Sequence, residues 1–231
     1  WSLVTNITPN PVAICGLDCV GTSTVYGCGA YFSPAYIIKS TDSGNTWQYI
    51  NMSTYADALV EVLFLDENIG FAAGKNPTGG VILKTIDGGT TWTQLYNSNI
   101  AGDYVWKLQV LNTNQNIIFG SVEGTAQNLG KLTKSINGGL TWIEHNAPET
   151  YTQAVGFLDE NHGWIGGHST GFYETLDGGA TWTNTGVGSN LNRIFFIGNT
   201  AYASGSTIYK MSSILSNSDF TEQDRINLNV K

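Results

Sequence analysis

One eight-residue phrase constrains the fold of this chain more than any other feature, because it occurs four times. The stretch Ser40 to Trp47 (STDSGNTW) returns as Thr85 to Trp92, Ser135 to Trp142 and Thr175 to Trp182. Its closing tryptophans lie 45, 50 and 40 residues apart. A period of that size marks repeated supersecondary units that bury their apolar faces on one another.

The phrase has a local physical meaning. An acid followed by two small residues turns the chain tightly: its carboxylate accepts hydrogen bonds from backbone N–H groups just ahead, and glycine tolerates positive φ. Asp42, Asp87 and Asp177 hold this position, and Asn137 holds it in the third copy. An amide accepts the same bonds without charge, so the motif reads as folding chemistry rather than ion binding or catalysis. Trp47, Trp92, Trp142 and Trp182 follow, as large apolar groups for packing between units.

The four copies resemble the Asp-box, or bacterial neuraminidase repeat. More of the repeat is legible around them: FLDENIGFAAG from Phe64 to Gly74 and FLDENHGWIGG from Phe157 to Gly167 are nearly the same sentence. The whole pattern resembles the photosystem II assembly factor-like propellers and, more distantly, the xyloglucanase-type propellers. The resemblance implies an all-β propeller of four-stranded antiparallel blades joined by Asp-box turns, and the units read along the chain make it a five-bladed β-propeller. It covers residues 1–211 as one domain, leaving 212–231 as a polar C-terminal tail or linker.

Read in order, four short strands per unit are expected. The first unit has Val12 to Leu17, Thr24 to Gly29, Tyr36 to Ser40 and Trp47 to Asn51, and the second Leu59 to Leu65, Gly70 to Gly74, Val81 to Thr85 and Thr91 to Tyr96. The third has Val105 to Leu111, Asn116 to Ser121, Lys131 to Ser135 and Thr141 to His145. The fourth has Ala154 to Leu158, Gly163 to Gly167, Phe172 to Thr175 and Thr181 to Thr185. A fifth begins with Asn192 to Ile197, Ala201 to Gly205 and Thr207 to Met211 but carries no phrase. Trp1 lies 17 residues before Asp18, as Trp142 lies 17 before Asp159. Trp1 to Asn6 is therefore expected to close the ring as the outer strand of the fifth blade, with Arg225 to Val230 as the competing candidate.

Composition removes several functions. The net charge is -8, and Arg193 and Arg225 are the only arginines, which argues against a nucleic-acid partner. No apolar run approaches the roughly 20 residues of a membrane span. Asp-box sialidases clasp their substrate carboxylate with three arginines, so two exclude that activity. His145, His162 and His168 lack metal-ligand spacing, and Cys15, Cys19 and Cys28 are too few for a closed zinc set. No cofactor and no metal are expected. The cysteines read either as a Cys15–Cys28 or Cys19–Cys28 bridge or as free thiols.

In a four-stranded meander the phrase joins the third strand to the fourth. Loops joining second to third strands, and blade to blade, therefore share the opposite face. That face carries Tyr31, Phe32 and Tyr36, then Tyr55 and Asp57, then Lys75 to Gly80. Asp103, Tyr104 and Trp106 follow, with Glu123 to Asn128, Tyr151 and Gln153, His168, and Asn190 to Arg193. The binding candidates are Tyr55, Asp57, Asp103, Tyr104, Trp106, Tyr151, Gln153, His168 and Arg193, because aromatic rings stack on sugars while amides and acids hold hydroxyls. The expected function is a non-catalytic secreted, periplasmic or cell-surface module that binds a glycan or a protein on this face. A glycoside hydrolase or lyase of xyloglucanase-like type would need a carboxylate pair about 5 to 10 Å apart, for which Asp57, Asp103 and Glu123 are available. The family resemblance also admits an assembly factor for a membrane complex. Oligomeric state is not encoded in these features.

Overall fold

The computed structural model describes residues 3–29, 34–197 and 200–211. It is a five-bladed β-propeller, with no helix among the described residues. The first blade holds β1 (Ile14–Val20), β2 (Thr24–Gly29), β3 (Tyr36–Ser40) and β4 (Gln48–Asn51). The second holds β5 (Ala58–Phe64), β6 (Gly70–Asn76), β7 (Gly79–Thr85) and β8 (Thr93–Asn97). The third holds β9 (Tyr104–Leu111), β10 (Asn114–Glu123), β11 (Lys131–Ser135) and β12 (Ile143–Asn146). The fourth holds β13 (Thr152–Phe157), β14 (Gly163–Gly167), β15 (Tyr173–Thr175) and β16 (Thr183–Asn184). Among the described residues the fifth has three strands, β17 (Arg193–Ile197), β18 (Thr200–Ser204) and β19 (Ile208–Met211). Each blade is an antiparallel meander, and the first strands of successive blades pack on one another around the axis.

The repeated phrase makes the same turn each time. Asp87 Oδ1 accepts from Thr85 Oγ1 at 2.8 Å and Thr91 N at 2.9 Å, while Oδ2 accepts from Thr91 Oγ1 at 2.6 Å. Asp42 and Asp177 repeat this pattern. Asn137 keeps it with an amide, accepting from Thr141 N at 2.9 Å and donating to Thr141 Oγ1 at 2.8 Å. Gly88 and Gly89 sit at φ 68° and 92°, a region that residues with a Cβ rarely adopt, and Ser43 takes the first of these positions at φ 60° in the first copy.

Apolar cores fill the joints between blades. Tyr26, Cys28 and Ile37 meet Leu59, Val62 and Phe64 between the first and second blades. Phe71 and Ile82 meet Leu108 and Val110 at the next joint, Phe119 and Leu132 meet Val155 and Phe157 at the third, and Trp164 meets Ile194 and Leu191 at the fourth. Tyr26 stacks on Phe64 at 3.5 Å, and Phe119 on Phe157 at 3.8 Å. Polar clasps reinforce two of these joints. Phe64 N donates to Asp18 at 2.6 Å, and Gln109 engages both N and O of Phe157 at 2.6 and 2.8 Å. Lys39 and Lys134 reach forward to backbone carbonyls of Gly88 and Glu160.

Each later tryptophan of the phrase packs towards the preceding blade: Trp92 joins the core of Tyr26, Trp142 that of Phe71 and Trp182 that of Phe119. Trp47 has no preceding blade in the chain order and packs with Ile7, Tyr36 and Ile38 instead. This corrects the expected ring closure. Residues 3–6 carry no strand, Asn6 donates to Asn45 O, and the burial of Ile7 draws the segment onto the first blade. Trp1 and the competing stretch from Arg225 to Val230 lie outside the described residues, as does the rest of the tail from Ser212.

Candidate functional site

Four blades share a deviation in their first strand. The register shifts between Ile14 and Gly16, between Leu59 and Glu61, at Trp106 between Val105 and Lys107, and between Thr152 and Ala154. Each shift leaves one extra residue, respectively Cys15, Val60, Trp106 and Gln153, and a bulge of this kind re-aims the side chains around it. All four lie near the start of the innermost strand, on the face opposite the repeated turns. The fifth blade pairs without a shift.

Between the third and fourth blades, two bulge residues meet a carboxylate. Gln153 Nε2 lies 3.4 Å from Glu123 Oε2 and 3.0 Å from His168 Nε2. Burial raises the Glu123 carboxyl above its ordinary value, against the lowering pull of hydrogen bonds from Gln153 and Trp106 and of the nearby His168. Trp106 stacks on Tyr104 at 5.0 Å, and Lys75 Nζ sits 5.2 Å from the Tyr104 ring. Tyr104 is thus buried behind Trp106 and leaves Trp106 as the aromatic edge of the site. Tyr151, exposed, lies 6.3 Å from the His168 ring.

The other acids close by are committed to the fold. Glu149 accepts from Ser169 N at 2.9 Å and Thr170 Oγ1 at 2.6 Å, which pins the loop carrying His168. Glu61, 1% exposed, is bound by Lys107 and Arg193.

Five of the expected residues therefore fall in one region: Trp106, Gln153, His168 and Tyr151 around Glu123, with Tyr104 supporting. Asp103 itself is buried with Lys131 Nζ at 3.9 Å, and burial raises its carboxyl despite Ser98 and Lys131. Tyr55 packs half-buried on the first joint, and Asp57 is exposed with its N–H on Lys75 O. Tyr36 is buried and donates to Val12 O at 2.7 Å. Tyr31 and Phe32 lie outside the described residues. Arg193 points into the axis rather than to this cluster. Sequence reasoning missed the bulges and the commitment of Glu61, which have no signature beyond one unmatched residue per strand. The three cysteines are free, Cys28 buried and Cys15 and Cys19 exposed. A recess of about 240 Å³ lined by Lys39, Thr41, Thr46, Trp47 and Gln48 lies at the first repeated turn, at the opposite end of the blade.

No protein-family description matches the chain, and no curated protein matches it by sequence. Its fold is similar to solved propellers at low identity. A GH74 enzyme from Niastella koreensis is 18% identical over 89% of this chain and 31% of that one, with a TM-score of 0.57. A chain of a nidogen/laminin complex is 12% identical over 87% and 76%, with a TM-score of 0.60. YCF48 bound to a D1 peptide is 14% identical over 85% and 91%, with a TM-score of 0.42. The chain spans about a third of the GH74 enzyme. At such identities the first two similarities show the β-propeller fold.

Proposed function

We propose that the chain is a binding module whose ligand, a glycan or an extended protein segment, sits against Trp106, Glu123, Gln153 and His168. The repeated turns, read as Asp-boxes, build the scaffold and stay out of recognition. The observation that carries this reading is that the cluster holds a single carboxylate, Glu123, while Glu149 and Glu61 spend their oxygens on internal partners. A hydrolase working through paired acids needs a second one free to act as base or nucleophile. Trp106 offers a ring face, and Gln153 and His168 offer a donor–acceptor pair, which suits hydroxyl or amide groups of a ligand. Display outside the cell fits a module of this kind and belongs to the same proposal.

One observation favours hydrolysis as a second reading: burial holds Glu123 protonated to higher pH than an exposed carboxyl, as a general acid requires. A glycan-array and peptide-array screen, with a reducing-sugar assay on every glycan that binds, separates the two. Binding that Trp106→Ala and Gln153→Ala weaken by tenfold or more, without released sugar, supports the module. Turnover that Glu123→Gln abolishes while binding persists supports the hydrolase and overturns the first reading.

A further inference from the structure

The fifth blade is attached unlike the others. Buried apolar cores span the first four joints in chain order, but among the described residues none spans the fifth and first blades. The side chains that would meet there are exposed instead: Phe195 42% and Ile197 63% on β17, and Leu17 65% on β1. On the fifth blade Tyr202 stacks on its own neighbour Phe195 rather than on the next blade, as Tyr26 and Phe119 do.

What the fifth blade does possess is a contact across the axis. Glu61 follows the bulge of β5 and Lys107 the bulge of β9, so both side chains are turned inward. Arg193, the first residue of β17, completes the group. Arg193 Nη2 lies 2.9 Å from Glu61 Oε1 and Nη1 lies 3.4 Å from Oε2, while Lys107 Nζ lies 2.8 Å from Oε2. A two-pronged guanidinium–carboxylate pair fixes direction as well as distance. Because Glu61 is withdrawn from water, removing Arg193 leaves a buried charge under-compensated. We propose that Glu61 is a latch: through Arg193 it holds the fifth blade across the axis to the second and third, in place of a joint to the first. The fifth blade then opens as a unit when the latch is released, hinged on the core formed by Trp164, Leu191 and Ile194.

Amide hydrogen exchange followed by mass spectrometry on the whole chain tests this, because it reads local opening blade by blade. In Arg193→Met, peptides covering β17 to β19 should exchange about tenfold faster or more, while those covering β5 to β14 stay within about twofold. Arg193→Lys keeps the charge but loses the two-pronged geometry, so it should give a smaller increase confined to the same peptides. Lys107→Met, with Arg193 intact, should leave β17 to β19 protected. Unchanged exchange of β17 to β19 in Arg193→Met overturns the latch. So does an equal rise over all blades, which would make the pair part of general stability rather than a tie to one blade.

Discussion

Gly163→Ala tests the packing logic of the joints most directly. Gly163 faces Phe157 across β14 and β13, and a Cβ there would come within 2.4 Å of two carbons of the Phe157 ring. The ring cannot retreat, because its other face is stacked on Phe119 at 3.8 Å and its backbone is held at both N and O by Gln109. Overpacking of a core costs about 1–3 kcal/mol, and disturbing the aromatic stack adds about 0.5–1.5 kcal/mol. The expected loss is thus about 2–4 kcal/mol, which for a domain of this size lowers the melting midpoint by about 5–15 °C. Urea denaturation and scanning calorimetry measure it. The control is Phe157→Leu: the smaller side chain removes the obstacle, so adding Gly163→Ala to Phe157→Leu should cost less than adding it to the natural chain. If Gly163→Ala costs under about 0.5 kcal/mol, or costs the same in both backgrounds, the glycine is not there to admit the ring.

Three further outcomes follow from other parts of the fold. Hydrogen bonds, led by those from Thr91 and Thr181, pull the Asp87 and Asp177 carboxyls down from 3.8 to about 2. Since these values are depressed in the folded state, their stabilisation is complete above about pH 4 and disappears as the pH falls through about 2. A double Asp87→Asn, Asp177→Asn variant should accordingly show a flatter fall in melting temperature over that window, and an unchanged acid limb would count against the turn chemistry. Ile7→Ala should cost about 2–3 kcal/mol in chemical denaturation by opening the cluster of Tyr36, Ile38 and Trp47; no loss would mean that the N-terminal segment lies on the first blade without supporting it. Gly89→Ala should be destabilising in thermal melts because φ is 92°, whereas Gly21→Ala, with nothing within 4 Å of its Cβ, tests positive φ alone and should cost less.

The sequence made the blades legible because their determinants are local. A carboxylate or amide, two residues at positive φ and a tryptophan form a turn that satisfies itself, so four strand pairs could be placed almost to the residue, as with Tyr36–Ser40 and Lys131–Ser135. The FLDEN stretch was equally readable: Asp66 and Asp159 each accept two backbone N–H groups and close a hairpin. The path of the N-terminal segment was not readable, because its two possible partners, a sheet edge and the face of the first blade, lie far apart in sequence. The spacing of Trp1 spoke only for the edge. Nor was the division of labour among the acids. Glu61, Asp103, Glu123 and Glu149 look alike in a string of letters, and only the third dimension shows Glu61 and Glu149 bound to internal partners, Asp103 enclosed and Glu123 at the site. Arg193 was read as a binding candidate on the open face, and chain position alone does not show that its guanidinium is taken by Glu61.

The bulges of the first four blades bear on how such a molecule could change. Because an unmatched residue stands outside the pairing of its strand, Cys15, Val60, Trp106 and Gln153 can differ from blade to blade without a change in strand register. A thiol, an isopropyl group, an indole and an amide already occupy these equivalent sites on one backbone plan. A library randomised at Cys15 and Trp106, the two of the four that reach solvent, would sample new surfaces while every strand pairing stayed fixed, and the fifth blade, lacking the extra residue, would serve as its constant reference.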